Sequence, residues 1–189
     1  MSGRTRFMCR SGLLVLSLLL CAPLLAAGAA TDTWVRVLPA SGTYFEGDQI
    51  AVEVWIEDVV ALYGADVRLA FDAGRLAVLD ANPSLPGVQV VPSDDLLSSD
   101  LVIRNEADNE AGTVWYAVSQ ISPSPPVTGT GVLFSFTFQA LYAGETPVGV
   151  TYQRLSTIDG TEIPASSAGA VYLIEGPYRQ FLPLVLRGH

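Results

Sequence analysis

Lysine is missing altogether from these 189 residues, and the single histidine is the last residue, His189. The only cysteines, Cys9 and Cys21, sit near the start. These shortages remove whole classes of chemistry. A nucleophilic serine or cysteine has no internal imidazole to take its proton. No Cys-His set is available to hold a transition metal. Ten arginines face nineteen acids, and a net charge of −9 repels nucleic acid and anionic membranes, since both need a basic footprint. No segment repeats its apolar residues with the period of an amphipathic helix. Carboxylates are plentiful, but no spacing singles out the pair that glycoside hydrolysis needs. The chain reads as non-catalytic.

What is present begins with an address. Arg4, Arg6 and Arg10 form a basic start, residues 13–25 an apolar run, and Ala26-Ala27-Gly28-Ala29-Ala30 a small-residue end. This is the layout of a secretory signal peptide cleaved after Ala29 or Ala30. The run is shorter than the roughly 20 apolar residues of a membrane span, which disfavours a retained anchor. Leu20 stands before Cys21 where a lipoprotein needs a small residue. Cleavage removes both cysteines, three arginines and no acid, leaving a balance of −12. Residues 31–175 then suffice for one domain with one core. Residues 176–189 form a separate apolar tail. The product is expected to be secreted, extracellular or at the cell surface, without a membrane span or cofactor.

Strand follows strand through that domain. Residues 34–38 form a first strand stopped by Pro39, and 42–48 read as a turn. Ile50, Val52, Val54 and Ile56 alternate with Ala51, Glu53 and Trp55, a period of two that sends the aliphatic set to the core. Ala65, Val67, Leu69 and Phe71 alternate in the same way with Asp66, Arg68 and Ala70. A short strand follows at 76–79. Pro83, Pro86 and Pro92 then mark a crossing loop with one short strand at 88–91. Residues 101–105 resume a strand, 106–112 make an acidic turn, and 113–120 form the next strand. A proline-rich loop covers 121–131. Val132, Phe134, Phe136 and Phe138 face the core, with Leu133, Ser135, Thr137 and Gln139 opposite. Strands at 148–152 and 170–174 close the series. About nine short strands without helices specify an all-β, single-domain antiparallel β-sandwich of jelly-roll topology.

The blocks and their order resemble the cohesin family over nearly all of residues 34–174. Residues 47–54 are similar to its glycine-then-valine-rich second strand. Leu62-Tyr63-Gly64-Ala65-Asp66-Val67, followed by Phe71-Asp72 and Leu76-Ala77-Val78, resembles its central signature. Residues 112–117 resemble its sixth strand, 129–138 its glycine-led seventh, and 144–148 the approach to the eighth. In one place the chain departs: Ala73-Gly74 stands where the family usually has proline, and Gly74 supplies the freedom the turn needs. The resemblance implies a secreted, non-catalytic sandwich that binds a dockerin-bearing protein, such as a glycoside hydrolase or surface protein. It also implies that the partner meets a flat face made by the strands at 65–71, 101–105, 113–120 and 148–152.

On that face the alternation points Asp66, Arg68 and Ala70 outward, and Arg104 with them. At 113–120 the set Thr113, Trp115, Ala117 and Ser119 is taken as outward, in preference to Val114, Tyr116 and Val118. Asp66, Arg68, Ala70, Arg104 and Trp115 are thus the candidate partner-binding residues. An ordinary solvated sheet face is the plain alternative, and for Arg104 the favoured one. Trp55 lies on the polar side of its strand, where it either stacks on a sugar or is covered by a loop or the tail. Asp94, Asp95 and Asp100, and the run from Glu106 to Glu110, offer oxygen ligands without EF-hand spacing, so solvated acidic turns are expected and no metal. Two rival functions stand beside adhesion: a carbohydrate-binding module on the same scaffold, contacting polysaccharide, and a surface protein assembled through its tail.

Overall fold

A computed structural model describes residues 32–177. The expected signal segment and most of the tail lie outside the described residues. Thirteen strands form: β1 (Trp34–Leu38), β2 (Ser41–Phe45), β3 (Gln49–Leu62), β4 (Gly64–Phe71), β5 (Leu76–Leu79), β6 (Val91–Pro92), β7 (Leu101–Asp108), β8 (Thr113–Ser119), β9 (Val127–Ala140), β10 (Gly144–Ser156), β11 (Glu162–Ile163), β12 (Ser166–Ala168) and β13 (Ala170–Glu175). One sheet runs β12-β1-β3-β9-β5, with β6 also on β9; the other runs β2-β13-β10-β4-β8-β7, with β11 on β10. The result is an all-β sandwich. Among the described residues no helix is long and apolar enough to cross a membrane.

The inner faces supply the core, as the period of two requires. Val52, Val54 and Ile56 of β3, Val67 and Leu69 of β4, and Phe134 and Phe138 of β9 are all at most 1% exposed. The aromatic rings link the layers. Phe71 of β4 meets Phe138 of β9 edge-on at 5.0 Å between centroids, and Tyr116 of β8 lies 4.8 Å from Phe134.

Thirteen strands replace the expected nine mainly because strands change sheets. β1 belongs to the first sheet and β2 to the second, with Pro39 and Ala40 at the crossing. β12 and β13 make the same crossing at Gly169, alongside and parallel: Trp34 pairs with Ser166, and Ser41 with Val171. Two pairs are therefore parallel in a sandwich expected to be antiparallel throughout. Gly169 is required there, because a Cβ on it would lie 2.2 Å from the Val148 carbonyl oxygen. The Tyr172 hydroxyl donates to the Pro39 carbonyl at 3.0 Å and ties the two crossings together. Residues 42–45 of the expected turn thus belong to β2, and only 46–48 turn, with Gly47 at φ +92°.

Other boundaries move for local reasons. β7 runs on to Asp108, so the turn shrinks to the four residues after it, where Gly112 adopts φ +67°. β9 starts at Val127, inside the expected proline-rich loop. The strand expected at 88–91 is reduced to one bridge, Val88 to Ala107, followed by the two-residue β6. A register shift between Val54 and Trp55 leaves Leu133 without a cross-strand partner. Leu133 is therefore buried and Val132 half-buried, the reverse of the alternation read from the sequence.

Replacing Phe134 by alanine removes contacts to both sheets, and a loss of about 3–5 kcal/mol is expected in urea unfolding. Alkali should act through two core phenols. Burial first, and then the Asp94 charge, push Tyr116 up to about 12; burial and Tyr44 push Tyr172 higher still. An unfolded tyrosine titrates near 10, so the unfolded chain releases these protons first. Their stabilising contribution is full below that pH and is lost as pH rises through 10 toward 12. Thermal melts should hold level up to pH 10 and fall beyond it; a level Tm up to pH 12 would contradict this.

Candidate functional site

Four neighbouring strands of the second sheet, β10, β4, β8 and β7, present one open face. On β4 the buried pattern alternates cleanly, so Asp66, Arg68 and Ala70 point outward. On β8, Val114, Tyr116 and Val118 are buried, which places Trp115 on the outer face. The ladder register then sets Arg68 directly across from Trp115.

These residues build a stack that spans all four strands. The Arg68 guanidinium lies 3.9 Å from the centroid of the Trp115 ring and 4.6 Å from that of Tyr152 on β10. Arg104 of β7 approaches Trp115 from the other neighbouring strand, at 4.4 Å. Two carboxylates anchor the stack. Asp66 accepts the Trp115 Nε1–H at 2.9 Å through Oδ1 and faces Arg68 Nη2 at 3.5 Å through Oδ2. Glu106 accepts from Arg104 Nη1 at 2.8 Å. The ion pairs are partly exposed and contribute little by themselves, about 0–1 kcal/mol each. Their effect is to hold planar groups face to face, where cation–π attraction adds about 0.5–2 kcal/mol per contact. Beside the stack lies a shallow depression of ≈ 400 Å³ bounded by Asp66, Trp115, Ser119, Tyr152 and Arg154.

Asp66, Arg68, Arg104 and Trp115 therefore come together. Ala70 shares the face but sits toward its other end, between Gly149 of β10 and Thr113 of β8. Trp55 lies on the opposite sheet. It is half-buried, donates Nε1–H to Glu53 at 2.9 Å and pairs across strands with Arg36. Arg36 in turn covers Trp34 at 4.4 Å and binds Glu57 at 2.6 Å.

Two members of the stack were missed in the sequence. Strict alternation from buried Val148 sends Tyr152 inward, but a register shift between Val150 and Tyr152 turns it out to face Arg68. Only the bulge makes the difference, and no residue there announces it. Glu106 was assigned to an acidic turn, yet it lies inside β7 across from Trp115. Three of the other acids have local tasks. Asp94 is held below its ordinary value by hydrogen bonds from the Ser99 backbone and hydroxyl. Asp95 accepts the Val132 N–H, and Asp108 those of Glu110 and Ala111.

If Asp66 fastens Trp115, removing its carboxylate frees the indole. Asp66→Ala should lower stability by about 1–3 kcal/mol and red-shift the emission that Trp115→Phe removes. Unchanged emission would mean that the ring is positioned by packing alone.

Neither a protein-family model nor a curated protein matches the sequence. Solved structures do match in shape. A non-cellulosomal cohesin from the hyperthermophilic archaeon Archaeoglobus fulgidus is 15% identical with a TM-score of 0.60, covering 77% of this chain and 92% of that one. The seventh ScaB type I cohesin from Pseudobacteroides cellulosolvens is 17% identical at TM-score 0.61, covering 84% and 99%. A chain of a type I cohesin–dockerin complex from Clostridium thermocellum is 12% identical at 0.62, covering 77% and 100%. At such identities the likeness concerns architecture, and on that ground the described residues have the cohesin fold.

Proposed function

We propose that this chain is a secreted, non-catalytic adhesion module whose β10-β4-β8-β7 face binds a dockerin-bearing protein outside the cell. The stack of Tyr152, Arg68, Trp115 and Arg104 carries the proposal. A solvated sheet face has no need to immobilise two arginines and two aromatic rings across four strands. A binding face gains from it, because side-chain ordering is then complete before the partner arrives. Aromatic and arginine anchors are also the groups that dominate protein interfaces. The similarly folded structure from Clostridium thermocellum is a cohesin–dockerin complex, which supports a partner of that class. A link to polysaccharide breakdown would come through the partner.

Sugar stacking is less well supported. Trp115 has guanidinium groups over its ring from the strands on both sides, which leaves little ring face for a pyranose. Trp55 is held within a charged cluster on the other sheet.

The test is calorimetric titration of the chain from Ala30 onward against dockerins of the same genome, with calcium present. Saturable binding is expected, weakened at least about tenfold, roughly 1.4 kcal/mol, by Arg68→Ala and by Trp115→Ala, with the fold intact by circular dichroism. Binding that ignores both substitutions would move the site off this face. No binding to any dockerin would remove the reading.

A further inference from the structure

β7 is the last strand of its sheet, and its outer edge is only half covered. Near its end, the Ala107 N–H donates to the Val88 carbonyl at 2.8 Å, and the Asn105 side chain bonds both the N–H and the carbonyl of Val90. Along residues 101–104 no described segment pairs with that edge. There the strand exposes three consecutive apolar residues, Leu101 at 45%, Val102 at 36% and Ile103 at 65%; Val102 lines the groove described next, and Ile103 the depression beside the stack. Natural edge strands are normally blunted by charge, proline or cover, so an apolar open edge marks an interaction site.

A groove of ≈ 660 Å³ continues this edge, lined by Leu85, Pro86, Gln89, Val91, Pro92 and Val102 among others. Its one unusual polar member is Gln89, which is 7% exposed. The Gln89 Nε2–H donates to the Pro86 carbonyl at 2.8 Å, whereas Oε1 is buried without a partner. A buried acceptor calls for a donor. Asp80, Asp94 and Asp100 lie within two residues of lining positions along the chain. Arg104, two residues from Val102 along the chain, is engaged by Glu106. The groove therefore suits an extended apolar peptide with free N–H groups and basic flanks.

The chain itself carries such a segment. Residues 178–187 contain Phe181, Leu182, Leu184, Val185 and Leu186 between Arg179 and Arg187, with no acid, and Pro183 opposes a helix. The 101–104 edge of its own copy is out of range. Ile174 is level with Gly144 in the sheet and Val102 is level with Leu155, eleven positions further along β10. That is about 36 Å along the strands, with four strand spacings, about 19 Å, across. Counted from the same Ile174, Leu182 to Leu186 lie eight to twelve residues on, about 26–41 Å at full extension, against about 41 Å for the two offsets together, so the segment cannot lie along the 101–104 edge of its own chain.

We propose that residues 178–187 of one copy add as a strand to the 101–104 edge of β7 in a second copy, filling its groove with apolar side chains. Each copy then offers one tail and one groove, a head-to-tail contact that need not close. The proposal is independent of dockerin binding, which uses the sheet face.

Sedimentation of the chain from Ala30 to His189 should show mass rising with concentration without a plateau at the dimer. Ending the chain at Pro177 should leave a monomer. Val102→Asp should weaken association at least tenfold, and Leu85→Asp, at an exposed loop position, should do the same if the first variant fails to fold. Mixing the tail-less chain with the groove variant should give a one-to-one pair that grows no further. A full-length monomer at all soluble concentrations overturns the proposal. So does association that needs the tail yet survives both groove substitutions.

Discussion

Everything in this sandwich depends on the burial of β9 between its neighbours and the opposite sheet. Its fourteen residues pair with β3 on one side and with β5 and β6 on the other. Phe134, Phe136 and Phe138 project from it into the core and meet rings from β4 and β8. Aromatic burial of this kind is what allows a domain without disulfides to offset its ordering entropy. It also keeps β4 and β8 in place, so the candidate face on their outer side inherits its flatness from a core on their inner side.

The face itself has an unusual electrostatic character. The chain is strongly acidic, yet two of its few arginines are spent in one stack, each next to its own carboxylate. Neither presents a bare charge. A partner would therefore gain from shape, from burial of planar groups and from hydrogen bonds to their edges, with long-range attraction as a minor term. Such self-satisfied pairs avoid the penalty of an uncompensated buried charge when an interface closes over them.

How much of this was legible depended on whether strands kept a strict period of two. β4 does, so the outward direction of Asp66, Arg68 and Ala70 could be read directly. Trp115 followed from the choice between two alternating sets on β8, which burial of Tyr116 decides. Tyr152 was hidden because a bulge reverses alternation without a marker residue, and Leu133 was misplaced for the same reason on β9. β3 carries further irregularities, with Asp58 and Ala61 at positive φ and their N–H groups met by Thr130 and Thr128 hydroxyls. Those bonds join residues about seventy positions apart, beyond any local reading. The parallel crossings at Pro39 and Gly169 were missed because glycine and proline signal a turn equally well whether the chain reverses or changes sheets.

β7 links the two surfaces that matter. A register shift between Val102 and Arg104 sends two residues that strict alternation would point the same way to different sides: Val102 lines the edge groove, and Arg104 reaches the Trp115 stack. A strand added to an edge extends the sheet in its own plane, whereas a partner on the face approaches perpendicular to it. Occupancy of the groove therefore leaves the stack uncovered. A chain of copies joined edge to tail would keep one β10-β4-β8-β7 face open on each copy, and the bulge that spoils the regular pairing of β7 would separate the two proposed uses.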